Sequence, residues 1–255
     1  MIEELYKDYY KYSDFYDIFN KYRNYNRETR FILNVAKNKK YLLDLGCGTG
    51  THLNILENLG YSVTGIDKSE EMVNLAKEKV KSEIIKADIL DFKLNEKYDA
   101  IISMHSVFNH LKSYEEFEKA FSNALDHLNS KGVMIIDLDN RRSNDDIDII
   151  VDGNKKHLEC FYSDKYNIQI RTTTFRIGLK DFIFEHEYFI YDTKILDKIF
   201  KKYKIKYTYV TNYSYQRAKH SSNRVHIIIK KDWLYEKIYC WKRNNFIWLF
   251  ERKIK

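Results

Sequence analysis

With 255 residues and 44% hydrophobic side chains, the chain can bury a core as one large domain or two small ones, which excludes disorder as its main state. Charged residues make up 32%, mean hydropathy is −0.58, and no apolar run approaches the ~18–20 residues of a spanning helix, so no membrane span is expected. The net charge of +7 and a pI near 9.0 are weak evidence for a polyanion partner in a chain whose excess of Lys, Asn, Ile and Tyr suggests a base-composition bias.

Met1-Ile2-Glu3-Glu4-Leu5 is acidic where a signal peptide would be basic and then apolar, so a cytoplasmic location is expected. Cys47, Cys160 and Cys240 are odd in number and share no ligand spacing. Neither a disulfide scaffold nor a metal site is expected from them.

Five of the eight glycines (Gly46, Gly48, Gly50, Gly60, Gly65) lie in one twenty-residue window. Tyr41 to Leu45 is an apolar run broken only by Asp44, short enough for a buried parallel strand, and it feeds Gly46-Cys47-Gly48-Thr49-Gly50. Thr51 to Leu59 then reads as a helix closed by Gly60. A strand (Ser62 to Ile66), a helix (Ser69 to Val80), a strand (Glu83 to Ala87) and a further apolar strand (Tyr98 to Met104) follow.

Ser113-Tyr114-Glu115-Glu116 fits a capping box for a helix running through Leu128 and stopped by Lys131-Gly132, and Val133 to Leu138 is a fifth buried strand. Strands alternating with crossover helices predict a doubly wound, parallel α/β sheet. After a polar loop from Asn140 to Asp146, period two over Leu158 to Tyr191, with a turn around Gly178 to Asp181, predicts an antiparallel insertion. A helix (Asp192 to Tyr203) and two strands (Lys206 to Thr211, Arg224 to Lys230) complete the domain. The expected organisation is thus an aromatic N-terminal segment over 1–39, an α/β domain over 40–139 and 192–230, the insertion over 140–191 and a basic aromatic helix over 231–255.

A glycine turn between strand and helix lets a ligand approach the backbone and offers it the helix's unpaired N–H groups. A dinucleotide fingerprint counted from Gly46 would need glycine at 51, where Thr51 stands, and a P-loop would need Gly-Lys-Ser/Thr. Asp44-Leu45-Gly46-Cys47-Gly48-Thr49-Gly50 instead resembles motif I of the class I S-adenosylmethionine-dependent methyltransferases. That family's remaining motifs follow in order. The resemblance implies that Asp67, in Gly65-Ile66-Asp67-Lys68-Ser69, accepts the ribose hydroxyls, that Asp88 holds the adenine amine with Ile89 against the ring, and that Met104 lies near the methionine part. The cofactor-binding set it implies is Tyr16, Tyr25, Asp44, Gly46, Cys47, Gly48, Gly50, Asp67, Lys68, Asp88, Ile89 and Met104. Because the chain contains no proline, the Pro-Pro-aromatic and Pro-Cys motifs of DNA-base methyltransferases are excluded.

From about Phe15 to Lys230 the chain is similar to small-molecule N-methyltransferases, especially those acting on nucleotide-linked amino sugars. The entry Phe15-Tyr16-Asp17-Ile18-Phe19, the stretch from Thr49 to Leu53, Met104-His105-Ser106-Val107-Phe108-Asn109-His110-Leu111 and Lys131-Gly132-Val133 carry the likeness. Asp139-Asn140 stands where that group has Trp-Trp. The resemblance implies a small-molecule acceptor, an insertion that forms pocket and homodimer contacts, His110 near the accepting amine, and an N-terminal lid with Tyr16 and Tyr25 close to the sulfonium. An imidazole of pKa near ~6.5 at His110 could take the amine's proton; a cap on the helix starting near Ser113, or a backbone hydrogen bond, is the alternative. His105 is expected to line the cofactor and His52 to face the first helix's surroundings. Two other functions stay open: an RNA or protein methyltransferase using the basic tail, in which Trp233, Trp241 and Trp248 all lie, and a non-catalytic S-adenosylmethionine-binding protein.

Overall fold

Consecutive residues of each central strand point into different cores. Leu43, Ile101, Met134 and Ile227 belong to one buried cluster, while Leu42, Ile102, Ile135 and Ile228 belong to another. A strand apolar on both faces must be covered on both, and this is the physical reason that the runs of Leu, Ile and Val recognised in the sequence form a sheet sandwiched by helices. The computed structural model describes residues 13–231 apart from 143, 145, 152, 178, 179, 212, 214, 215, 220 and 221. Tyr6, Tyr9, Tyr10 and Tyr12 and the expected tail beyond Lys231 lie outside the described residues.

Seven strands make the main sheet: β1 (Tyr41–Leu45), β2 (Ser62–Asp67), β3 (Glu83–Lys86), β4 (Tyr98–Ser103), β5 (Leu128–Asp139), β10 (Lys206–Val210) and β11 (Arg224–Lys230). Their order is β10-β11-β5-β4-β1-β2-β3; β1 to β5 run parallel, and β11 is antiparallel to both β5 and β10. Helices α2 (Tyr25–Val35), α3 (Thr51–Asn58) and α4 (Glu70–Lys79) cover one face, through Phe31, Leu53, Leu56 and Val73. Helices α5 (Tyr114–Asp126) and α6 (Thr193–Lys202) cover the other through Phe117, Phe121, Leu196 and Phe200. Among the described residues no helix is long and apolar enough to cross a membrane.

Capping side chains fix most of the helix starts. Ser69 accepts the Met72 N–H at 3.2 Å, Ser113 the Glu116 N–H at 3.2 Å and Asp192 the Lys194 N–H at 2.8 Å. Helix α5 is shorter than its periodicity predicts: it ends at Asp126, and β5 starts at Leu128 rather than Val133. The reason is that the His127 carbonyl accepts the Tyr98 N–H at 2.8 Å, which draws the chain into the sheet one turn early.

The insertion is a separate antiparallel sheet of β6 (Ile147–Val151), β7 (Asn154–Ser163), β8 (Ile168–Ile177) and β9 (Lys180–Phe189). Period two predicts strands only from Leu158. The earlier β6–β7 hairpin, closed at Val151–Asn154, carries Lys155, Lys156 and His157, which hide its alternation. Ahead of β1, α1 (Ser13–Asn20) is tied down by Asp17, whose carboxylate accepts the Thr49 hydroxyl at 2.7 Å and pairs with Lys79.

Candidate active site

A cavity of about 700 Å³ opens at the carboxyl ends of β1, β2, β4 and β5. Strand order reverses there between β1 and β4, the place where open α/β sheets bind ligands. The glycine loop forms one wall. Gly46 and Cys47 donate their N–H groups to the Ile66 carbonyl at 2.8 and 2.9 Å, and Gly46, Gly48 and Gly50 all have positive φ, which L side chains adopt only under strain. A Cβ at Gly46 would come within 2.5 Å of Val107.

Asp67, buried at the end of β2, accepts the Gly48 N–H at 2.8 Å on one oxygen and the Ser69 N–H at 3.0 Å on the other. Burial raises its pKa above the ordinary carboxylate range, against the pull of the two N–H groups. Each oxygen keeps a lone pair for a further donor. Asp88 accepts the Leu90 N–H at 2.9 Å, which holds the loop after β3 and puts Ile89 at the cavity wall. Asp44 is buried and takes no hydrogen bond from a described residue. Burial, offset by His52 and reinforced by Asp67, pushes its pKa up to about 7. Burial also raises the Cys47 thiol, so Cys47 is a neutral, weakly nucleophilic wall group.

The cavity is lined by Tyr16, Tyr25, Asp44, Gly46, Cys47, Gly48, Asp67, Lys68, Asp88, Ile89, Met104 and His110, of which Lys68 is exposed. Gly50 is the exception within the expected cofactor set. It does not line the cavity; a Cβ there would meet Ala76 of α4 at 3.1 Å, so its smallness serves the packing of α3 against α4.

After β4 the chain turns through two left-handed residues, His105 and Ser106, and Asp137 accepts the His105 N–H at 2.8 Å. This turn aims the His105 ring at Glu28 of α2. Glu28 Oε2 lies 2.8 Å from His105 Nε2 and 2.9 Å from His52 Nε2, with Tyr25 packed against both imidazoles. Burial would raise Glu28, but hydrogen bonds from His105 and His52 outweigh it and hold the carboxyl well below its usual range. The three ligand atoms lie within 4.8 Å of one another, so these residues could hold a metal ion, whereas the cysteine spacing suggested none. His52 thus faces α2 and the cavity together. Sequence reasoning missed Glu28; the signal available was an acid three residues before Phe31 on the apolar face of an amphipathic helix.

His110 ends a 3-10 turn (Val107–His110) and does not cap α5, whose cap is Ser113. Its ring lies 4.8 Å from Tyr188 and 6.2 Å from His186, both on β9. Burial, with His186, Lys68 and Arg171 adding positive charge, lowers the His110 pKa to about 3; burial, Lys156 and Arg171 lower His186 to about 4. The imidazole expected to titrate near 6.5 is therefore neutral across the physiological range. Such a ring orients an amine by accepting its N–H and is a poor match for deprotonating an ammonium. Tyr16 is pushed up to about 12 by burial, against the opposing charge of Arg23, so its hydroxyl stays protonated.

One face of the insertion sheet closes the cavity, with Ile147, Ile149, Lys156, Leu158, Arg171, Thr173, His186 and Tyr188 on the same phase of the four strands. Arg171 stacks over Tyr188, 4.4 Å from the ring centroid, and its Nη2 pairs with Asp139 at 2.8 Å. Arg224 pairs with Asp137 and lies 3.8 Å from Asp139. Burial would raise Asp139, yet Arg171 and Arg224 keep its pKa below the ordinary range. Charged side chains on the inward phase of β7 and β8 were the available signal for this wall.

Residues 42–132 match the family model described as a methyltransferase domain. A dTDP-3-amino-3,4,6-trideoxy-alpha-D-glucopyranose N,N-dimethyltransferase of Streptomyces venezuelae is 30% identical over 133 residues, 49% of this chain and 56% of that protein. The chain spans about half the length of the first curated relatives it matches. The crystal structure of an S-adenosylmethionine-dependent methyltransferase from Clostridium acetobutylicum superposes with a TM-score of 0.75 at 24% identity, covering 88% of this chain and 99% of that one. An amino pentose methyltransferase of Micromonospora echinaspora, solved with S-adenosylmethionine bound, superposes at 0.68 with 17% identity, over 83% and 93%. The glycine loop, the ordered acids and the matched methyltransferase domain coincide on one cavity, and the chain has the fold of the S-adenosylmethionine-dependent methyltransferases.

Proposed function

We propose that the chain transfers a methyl group from S-adenosylmethionine to the amine of a small-molecule acceptor held under the insertion sheet. The observation that carries this reading is a single cavity that joins the acids of the glycine-loop end to His110, His186 and Tyr188 at the insertion end. The residues at the first end fit the cofactor. A Cβ at Gly48 would meet nothing within 4 Å, so the backbone is open to a ligand; α3 begins behind Gly50 without a side-chain cap; Asp67 keeps acceptor sites for two hydroxyls.

S-adenosylmethionine, when bound, supplies an electrophilic methyl on a sulfonium. Asp67 accepts the ribose hydroxyls and Asp88 the adenine amine, with Ile89 against the base and Met104 near the methionine part. Tyr16 and Tyr25 offer oxygen and ring faces to the cation. Neutral His110 accepts an N–H of the acceptor amine and turns its lone pair toward the methyl, while the insertion sheet and the N-terminal helices keep competing water out. Lys68, Arg171 and the other nearby cations disfavour an ammonium there, so the amine binds in the neutral form that can attack.

The test is release of S-adenosylhomocysteine by the full chain with a panel of amines, nucleotide-linked amino sugars first, set against alcohols and bulk RNA. Turnover with amines alone supports the reading. Turnover with RNA alone, or cofactor binding without turnover of any acceptor, overturns it.

A further inference from the structure

Glu28 stands in the first turn of α2, His52 in the first turn of α3 and His105 in the turn after β4, so three stretches far apart in the chain deliver side chains to one point on the cavity wall. Glu28 is buried, and among the described residues no Lys or Arg pairs with it; its Oε2 meets only Nε2 of His105 at 2.8 Å and Nε2 of His52 at 2.9 Å. A buried anion is costly unless a positive charge or a full set of donors meets it, and two neutral rings on one oxygen supply part of that. The backbone bends to make the arrangement. His105 has a φ of 58° and Ser106 of 65°, left-handed values that residues other than glycine hold under strain and that gather at functional sites.

We infer that Glu28, His52 and His105 bind a divalent first-row transition-metal ion, with Zn²⁺ the best match. Their ligand atoms all lie within 4.8 Å of one another. Three ligands on a tetrahedral ion at about 2.0–2.2 Å would stand about 3.3–3.6 Å apart, so the rings need to draw back from Oε2 by only about 0.5 Å to admit it. Two imidazoles and one carboxylate form a donor set that suits Zn²⁺ and its neighbours and not Mg²⁺ or Ca²⁺, which prefer oxygen throughout. Burial, followed by the charge of Arg23, lowers the His105 pKa, and a neutral ring is the form that ligates. Three protein ligands leave a coordination position open, and because all three residues line the cavity that position falls on its side. The ion would tie α2 to the helix behind the glycine loop and to the turn after β4. The inference is independent of the proposed acceptor, which lies at the other end of the cavity. The competing place for an added ion is His157 with Asp148 and Glu159, all on the outer phase of the insertion.

The test titrates Zn²⁺ alone, and in parallel Mg²⁺ alone, by calorimetry into the full chain previously treated with a chelator, for the wild type, Glu28→Gln, His105→Ala and His157→Ala. The wild type should take up a Zn²⁺ ion that Glu28→Gln and His105→Ala each bind about tenfold or more weakly, that His157→Ala binds unchanged, and that Mg²⁺ does not replace. Glu28→Gln keeps a carbonyl that accepts both ring N–H groups, so it separates a metal site from a hydrogen-bonded trio. Without metal its thermal midpoint should stay close to that of the wild type, and Zn²⁺ should raise the midpoint of the wild type alone. Should His105→Ala fail to fold, Glu28→Gln decides by itself. The inference is overturned if the wild type binds no Zn²⁺, if Glu28→Gln binds it as the wild type does, if the uptake is lost in His157→Ala, or if Mg²⁺ binds as tightly.

Discussion

The two ends of the cavity are built in opposite ways. The cofactor end is local in sequence: Asp44, the glycine loop, Asp67 and Asp88 lie within 45 residues, at or just beyond the carboxyl ends of β1, β2 and β3. The acceptor end is assembled from the 3-10 turn after β4, the end of β5, the four strands of the insertion and β11, and strand register decides which of their side chains meet. A site made of consecutive crossovers can be carried by motifs; a site made of pairings between distant strands cannot. The pieces of the acceptor end are joined by Asn109, fully buried in the 3-10 turn, which donates to the carbonyls of Asp139 at 2.9 Å and Phe189 at 2.8 Å and accepts the Asp139 N–H at 2.9 Å.

Breaking that joint should have the largest effect. Asn109→Leu leaves a buried N–H and two carbonyls without their partner, and the stability lost should be about 3–5 kcal/mol, read from the denaturant midpoint. A loss below about 1 kcal/mol would show that the insertion is held to β5 by other contacts.

On the cofactor end alone, Asp67→Ala removes the acceptor for two hydroxyls and leaves the adenine contacts. Affinity for S-adenosylmethionine should fall by roughly 1.5–3 kcal/mol in calorimetry, the scale of hydrogen bonds to a charged group. Since Asp67 also accepts the Gly48 and Ser69 N–H groups, Asp67→Asn separates the roles: one amide oxygen can still accept from the backbone or from the ribose, so its loss should be smaller. Equal affinity in all three proteins would remove Asp67 from the site.

The contrast between the ends is also the contrast in what the sequence reveals. Glycine spacing and ordered acids name the first end because the chemistry of each position is tied to a fixed place along the chain. Gly50 is misread there, since spacing reports that a glycine is needed without telling a ligand's approach from that of Ala76. His110 lines the second end, but its protonation is not legible. It depends on burial first and then on His186, Lys68 and Arg171, and His186 and Arg171 meet only through the β8–β9 pairing at Arg171–His186. Glu28 is hidden for the same reason, its histidine partners being 24 and 77 residues away.

A third experiment sharpens the acceptor end. His110→Ala should lower turnover about 10- to 100-fold, the range for losing an oriented neutral acceptor rather than a matched base, with cofactor affinity unchanged. Because burial holds the imidazole near a pKa of about 3, the wild-type pH–rate profile should show no inflection owed to this ring between pH 5.5 and 8. An inflection near 6.5 that disappears in His110→Ala would restore the general-base role.

The smallest expected effect on binding belongs to Asp44, and its sign can be worked out. Burial places this carboxyl near a pKa of about 7, far above its value in an unfolded chain, so the folded protein keeps a proton that the unfolded chain has lost. Stability owed to this group therefore falls as the pH rises from about 4 through 7, and Asp44→Asn should gain stability over the wild type at pH 8 and lose that advantage at pH 5. Cofactor binding runs the other way. The ionised carboxylate attracts a cationic ligand, so affinity for S-adenosylmethionine should rise between pH 6 and 8, by about tenfold at most, and Asp44→Asn should flatten the rise. S-adenosylhomocysteine, which lacks the sulfonium charge, should show a weaker dependence over the same range. If both ligands respond alike, Asp44 answers to a part of the cofactor they share; if neither does, its proton is lost outside this window, and the strain of burying an acid beneath the glycine loop belongs to the fold rather than to binding.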